Sequence, residues 1–244
     1  MSAPGEPRFL YAGESALVVE YGQRIDPAIH DKVVALDRAV TAAAIPGVIE
    51  TVPTYRSLMI DYDPEQVAPD ALIERLRALP IEAAKAASPA QRWIVPACYD
   101  PSLALDLTYV ADTLKLTPEK VVELHSSAVY RLYMYGFAPG FAYLGGLPAA
   151  LNISRRTEPR PTSPPNCLLT AGGQALITTV VMPTGWYIIG RTPERFFALE
   201  RNPVFLANVG DEVTFEAIDT ATFANLDGRA AAGEPIARLA AAGK

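Results

Sequence analysis

The apolar positions of this chain change their period about a third of the way along. In the first stretch, Arg8 to Ala12 and Ala16 to Tyr21 read as strands, the second dense in Val and Tyr. Between Pro27 and Ala44 the period lengthens to that of a helix. Ile29, Val33, Leu36 and Val40 then make one stripe, with Asp26 placed to cap the first turn ahead of Pro27. His30 lies about 100° round from that stripe and is expected at the surface. Val48 to Val52 and Ser57 to Tyr62 are two further strands, and Pro69 to Leu79 is a second helix with Leu72, Leu76 and Leu79 on one side. Strand-strand-helix-strand-strand-helix describes a small sheet covered by helices on one face.

The run EAAKAASPA between Ile81 and Gln91 has no apolar periodicity and marks a boundary, so residues 1–82 form an α+β domain and residues 91–244 a second domain. Trp93 to Tyr99 predicts a strand and Leu103 to Leu114 a helix. Thr117-Pro118-Glu119 starts another helix, which turns Val121, Leu124 and Ala128 inward. From Tyr130 the texture becomes short β-rich runs separated by Gly and Pro: YRLYMYGF, CLLTAG, ALITTVVM, WYIIGRT, RFFALE and DEVTFEAI. Many short strands with such turn signals predict a closed or nearly closed barrel. The Ala-rich tail from Ala230 to Lys244 reads as a frayed helix.

Composition narrows the function. The 244 residues are half hydrophobic and one fifth charged, a globular balance, and the net charge of −6 argues against a nucleic-acid partner. No apolar run approaches the roughly 20 residues of a membrane span, and Met1 to Arg8 has no signal-peptide pattern, so a cytoplasmic protein is expected. Cys98 and Cys167, far apart and without a CxxC partner, are expected as free thiols. There is no phosphate-loop motif, no dinucleotide-type glycine spacing, no H-E-x-x-H and no G-x-S-x-G elbow. No metal site is therefore expected in this chain.

One segment carries an unusual charge. Between Leu151 and Arg195 stand five arginines (Arg155, Arg156, Arg160, Arg191 and Arg195), two glutamates, and no Lys or Asp. The segment is +3 in a chain of −6, so the rest sums to −9. Guanidinium groups suit bidentate capture of a carboxylate or phosphate. An anion groove using Arg155, Arg156 and Arg160, with Arg191 as a second clamp, is the sharper expectation. Pairing with Glu158 and Glu194, or with acids of the first domain, is the plainer one. Pro139-Gly140 forces a turn with Phe137 and Phe141 at its ends, a composition suited to a pocket lip or a partner contact. Of the two histidines, His125 lies at the edge of the buried face of its helix. It would be a general acid or base if it faced the groove, although a lone histidine of this kind more often holds structure.

The runs LHSSAVYRLYMYGFAPGFAYLGGLP, RRTEPRP, AGGQ and GWYIIGRTP, with RFLYAGESALVVEYG and IVPACYD upstream, carry a family resemblance. The chain resembles the carboxyltransferase-type, cyclophilin-like family of the 5-oxoprolinase B-subunit, allophanate hydrolase subunit 1, urea carboxylases and the kinase inhibitor KipI. The resemblance implies an α+β N-terminal domain followed by a mainly-β, cyclophilin-like barrel. It implies a larger carboxyltransferase-type partner subunit, separate or fused, and hence a heteromeric, ATP-dependent hydrolase opening a small carboxylate-bearing amide. ATP is expected at or with the partner. His125 and Gln174 are then candidate catalytic groups, Gln174 as an amide stabilising the scissile group. Phe137, Phe141 and Trp186 wall the pocket. The KipI likeness allows instead an inhibitor of a histidine kinase, and a diverged non-catalytic paralogue is a third reading. After AGGQ the family pattern Thr-Gly-Ile-Tyr-Pro is replaced here by Ala175 to Thr179.

Overall fold

The computed structural model describes residues 6–81 and 90–241, and the expected boundary run at 82–90 falls almost wholly outside them. The chain divides into two compact units, 1–89 and 90–244.

In the first unit, strands β1 (Arg8–Tyr11), β2 (Ala16–Glu20), β3 (Val48–Pro53) and β4 (Ser57–Tyr62) form an antiparallel sheet in the order β1-β2-β4-β3. Helices α1 (Pro27–Ala43) and α2 (Pro69–Arg77) pack on it. The Asp26 carboxylate caps α1 by accepting from the Ala28 N–H, and Pro27 fills a position whose N–H would have no partner. Alternation along β4 sends Leu58, Ile60 and Tyr62 into a core with Leu17, Val19, Val33, Leu36, Leu72 and Leu76. His30 is fully buried rather than exposed. The buried face of α1 is wider than a four-residue stripe and takes in His30, Val34, Ala35 and Ala39 as well.

In the second unit, seven strands close a barrel: β5 (Arg92–Cys98), β6 (Tyr130–Tyr135), β7 (Ala142–Gly145), β9 (Cys167–Ala171), β10 (Gln174–Ile177), β12 (Tyr187–Arg191) and β13 (Glu212–Ile218). The ring runs β12-β9-β10-β7-β6-β13-β5 and is shut by the Arg191–Cys98 pairing of β12 with β5. A separate ribbon pairs β8 (Arg160–Ser163) with β11 (Met182–Thr184). Helices α3 (Leu107–Leu114) and α4 (Pro118–Ser127) lie between β5 and β6 in the chain, and Thr117 caps α4 through the Lys120 N–H. Period-two alternation splits the wall. Ala142, Leu144, Leu168, Ala175, Ile177 and Ile189 join the large core, which includes Val110, Val121 and Phe215. Phe141, Leu169, Leu176, Trp186 and Ile188 make a second cluster on the opposite face.

Four expectations change. The helix expected from Leu103 starts at Leu107, because the Asp100 carboxylate takes the Ser102 N–H and hydroxyl and holds a turn there. The run ALITTVVM is divided between β10 and β11. RFFALE is a loop with one bridge, Phe197 to Phe205. It curls round Arg201, whose guanidinium donates to the carbonyls of Phe196, Pro203 and Val204 and to Glu194. The tail is not a helix from Ala230. A helix α5 (Thr220–Ala231), capped by Asp219, ends just past that point, and a two-residue strand β14 (Arg238–Leu239) joins β5. The buried Glu194 carboxylate accepts the N–H groups of Ile236 and Ala237 and ties the tail down. Both cysteines are free and buried.

Candidate functional site

The Phe137–Phe141 turn, the β8–β11 ribbon and the Trp186 end of β12 surround a cavity of about 210 Å³. It is lined by Phe137, Phe141, Tyr143, Arg155, Leu176 and Trp186, together with Thr178 and residues 182–185. Strand alternation explains the back wall, since Tyr143 and Leu176 are cross-strand partners on the face opposite the large core. The front wall comes from the ribbon's β11, where the pairing is irregular between Met182 and Thr184 and Met182, Pro183 and Thr184 all line the cavity. The main-chain N–H of Arg156 donates to the Gly185 carbonyl at 2.9 Å, which fixes the neighbouring Arg155. Its guanidinium then sits 5.5 Å from the centre of the Trp186 ring.

The turn is built on two left-handed residues. Gly140, at φ +74, is packed so closely that a Cβ there would meet the Phe197 Cβ at 2.2 Å. Phe137 adopts φ +70 without being glycine, a conformation that costs about 1–3 kcal/mol. Bonds from the Gly136 N–H to the Phe141 carbonyl, and from the Thr179 hydroxyl to the Pro139 carbonyl, hold it there. Phe141 is buried, whereas Phe137 as a residue is 80% exposed.

The arginines separate into different roles. Arg156 and Arg160 both donate to Asp106 Oδ1, at 3.0 and 2.6 Å. Asp106 Oδ2 accepts the Ile188 N–H at 2.9 Å, and the Asp106 N–H returns a bond to the Ile188 carbonyl. Asp106 is buried at the start of α3, so one carboxylate fastens that helix, β12 and the two arginines together. The sharper expectation gave Arg156 and Arg160 to a ligand, and here both guanidinium groups already bond a protein carboxylate. Their counter-charge comes from 50 or more residues upstream rather than from Glu158 or Glu194. Arg191 donates to the Pro165 carbonyl and lies over the Phe223 ring of α5, and Arg195 pairs with Asp227. Among the described residues, Arg155 is the one arginine of the five whose guanidinium has no hydrogen-bonding protein partner.

The two candidate catalytic groups are not in the cavity. His125 is 1% exposed, stacked on Phe215 with ring centres 4.8 Å apart, and its Nδ1 shares a hydrogen bond with the Tyr99 hydroxyl at 2.8 Å. Burial pulls its pKa down to about 3, so it is a neutral core residue closed off from any groove. Gln174 follows the Gly172-Gly173 turn at the head of β10, half-buried and not among the lining residues, two positions before Leu176, which is. Phe137, Phe141, Trp186 and Arg155 do converge. Tyr143, Met182 and Thr184 join them without having been singled out, because nothing in a strand's alternation tells a pocket wall from core. The described lining residues include no Asp, Glu, His, Lys or Cys. Burial pushes the Tyr143 phenol up from its ordinary value, so no group here accepts a proton near neutrality. Among the described residues no His, Cys, Asp and Glu side chains group as a metal site, and no helix is long and apolar enough to cross a membrane.

The family model for the carboxyltransferase domain, subdomain C and D, matches residues 7–207. The chain is 32% identical to the 5-oxoprolinase B-subunit of Bacillus subtilis over 84% of its own length and 90% of that protein. It is 36% identical to the 5-oxoprolinase B-subunit of Escherichia coli O157:H7 over 83% and 92%. Among solved structures it is similar to TTHA0988, with a TM-score of 0.76 and 31% identity, over 83% of this chain. It spans only 40% of that longer polypeptide.

Proposed function

The chain belongs to the carboxyltransferase domain family, subdomains C and D, and from that premise we propose that it is the smaller subunit of an ATP-dependent hydrolase. The enzyme opens the amide bond of a small carboxylate-bearing substrate, 5-oxoproline being the first to test. The observation that carries this reading is the cavity with one uncompensated guanidinium and aromatic walls. At about 210 Å³ it is smaller than the roughly 300–1,000 Å³ of drug-sized ligand sites, so a compact acid suits it and a nucleotide does not. Arg155 would take the carboxylate with paired N–H donors, held in place by the Trp186 face beneath it. The Phe141 and Tyr143 rings would flank the substrate's carbon atoms and keep water from the guanidinium, which strengthens its hold.

The chemistry then divides between two chains. The cavity's described residues offer hydroxyls and a phenol but no base, so the proton transfers of amide opening belong to a larger carboxyltransferase-type subunit, together with ATP. Relatives named as subunits and the extra length of TTHA0988 support such a partner. The test is conversion of 5-oxoproline to glutamate with ATP, by each purified chain alone and by the pair. Turnover by the pair only is expected. Turnover by this chain alone, or none by the pair with 5-oxoproline or allophanate, overturns the reading. The lack of a base equally favours a second reading, a non-catalytic binding protein of the KipI kind. Inhibition of histidine-kinase autophosphorylation by this chain, with no turnover by the pair, would select it.

A further inference from the structure

Around the cavity mouth lies an apolar surface that the ligand site does not use. Phe137 projects from the turn, 80% exposed, and Val180 and Val181 follow from the adjoining loop at 38% and 62%. The Thr179 hydroxyl joins that loop to the turn at Pro139. On the other side Gly140 abuts Phe197, which packs edge-on against Phe205 with ring centres 5.3 Å apart. Three loops thus bring five apolar side chains, Phe137, Val180, Val181, Phe197 and Phe205, to one rim. Exposed aromatic clusters of this kind mark interaction surfaces.

Phe137 is the informative member. A residue that needed only to fill space on this turn would be glycine, which takes φ +70 without strain. Here the strained backbone is fixed by hydrogen bonds on both sides and presents a large ring to solvent. A ring held in advance loses little freedom on being buried by another molecule, the property of an interface anchor. The same ring lines the cavity, so whatever covers it also covers the cavity mouth.

We propose that Phe137 anchors the larger subunit, entering an apolar socket on it and bringing the proton-transferring residue that the cavity lacks to its mouth. This rests on the functional reading above as to which chain the partner is. It adds where that chain sits and what chemistry it presents: an apolar face around the socket, with an acid or base beside it. A second copy of this chain does not meet that description at this rim, because the described cavity residues include no such acid or base.

The test is titration calorimetry of this chain against its purified larger subunit, without substrate or ATP, for the wild type, Phe137→Gly, Val181→Ser and Arg155→Gln. Phe137→Gly should weaken assembly at least tenfold and leave the melting temperature equal or higher, since glycine relieves the strained backbone. Val181→Ser, at an exposed rim position outside the cavity lining, should weaken assembly several-fold. Arg155→Gln should assemble as the wild type does. Wild-type affinity in both rim variants overturns the proposal. So does a self-association of this chain that Phe137→Gly abolishes while the larger subunit still binds. A pair that assembles through Phe137 yet opens no amide leaves the docking surface standing and removes the hydrolase reading. A pair that turns over but ignores Phe137→Gly does the reverse.

Discussion

Asp106→Asn isolates the contribution of the acid that neutralises Arg156 and Arg160. The substitution keeps the size of the side chain and one acceptor oxygen but removes the charge. In the native protein that carboxylate is 6% exposed and receives two guanidinium bonds and one main-chain N–H. An asparagine oxygen that stays on the Ile188 N–H gives up both arginines, and its NH₂ group then faces their donors. Hydrogen bonds to charged groups are worth about 1.5–3 kcal/mol net, and removing one member of a buried ion pair costs about 3–5 kcal/mol. The two arginines are about a quarter exposed, which moderates the penalty, so we expect a loss of about 3 kcal/mol. In domains of this size 1 kcal/mol shifts Tm by about 2–4 °C, so the barrel unit should melt roughly 6–12 °C lower. Both tryptophans, Trp93 and Trp186, lie in that unit, so urea unfolding followed by tryptophan fluorescence reads it alone. In an Arg160→Ala background the same Asp106→Asn change should cost only about half as much, because one of its two bonds is already gone. A loss below about 0.5 kcal/mol, or equal losses in the two backgrounds, would mean that the arginines are held by something other than Asp106.

His125 should make the protein acid-sensitive: its pKa falls from 6.5 unfolded to about 3 folded, so the unfolded chain alone takes up the proton between those values. Stability is therefore lost as pH drops below 6.5, by about 2 kcal/mol at pH 5, and His125→Gln should remove that part of the pH dependence; identical pH slopes in the two proteins would refute it. Arg155→Gln should weaken binding of 5-oxoproline tenfold or more, measured by calorimetry with the partner present, while changing stability by less than about 0.5 kcal/mol. Arg160→Ala should do the opposite, and equal effects of the two on binding would show that the arginines act as a group. Burial raises the Cys98 thiol and pushes Cys167 up to about 11, so neither should react with a thiol reagent at pH 8 until urea unfolds the barrel; rapid labelling of the native protein would contradict the buried placement.

What could be read along the sequence was whatever depends on near neighbours. Ile29, Val33, Leu36 and Val40 defined α1, and the alternation in SLMIDY defined β4, because each pattern repeats within one element. Asp26 and Thr117 cap helices two and three residues away. RFFALE failed as a strand for the opposite reason. Its conformation is set by Arg201 and Glu194, whose partners include the tail at Ile236 and Ala237. His30 was misplaced because a helix lying along a sheet buries more than its strict stripe. Phe137 and Phe141 stood out because Pro139-Gly140 sets a turn between them, and Arg155 because of the local excess of arginine, whereas nothing in the sequence showed that Trp186 would lie beside them. Asp106 carried no visible signal, since an acid 50 residues upstream of Arg156 gives no hint of lying beside it.

A count of charges along a segment therefore gives the wrong number of free cations. The excess of +3 between Leu151 and Arg195 is met in three dimensions by Asp106, beneath Arg156 and Arg160, and by Asp227, against Arg195. Arg191 is turned to a carbonyl and an aromatic ring. The buried acids are committed in the same way. Asp106 holds two guanidinium groups and β12, Glu194 holds Arg201 and the tail, and Asp211 accepts from Gln91, Trp93 and Asn208. A carboxylate whose oxygens already accept from fixed internal donors is poorly placed to take a proton from a substrate. What this distribution leaves at the cavity is one guanidinium over an indole, rigid on three sides. On the function proposed above, such a site would orient an anion and keep water from it, and the base would come from another chain.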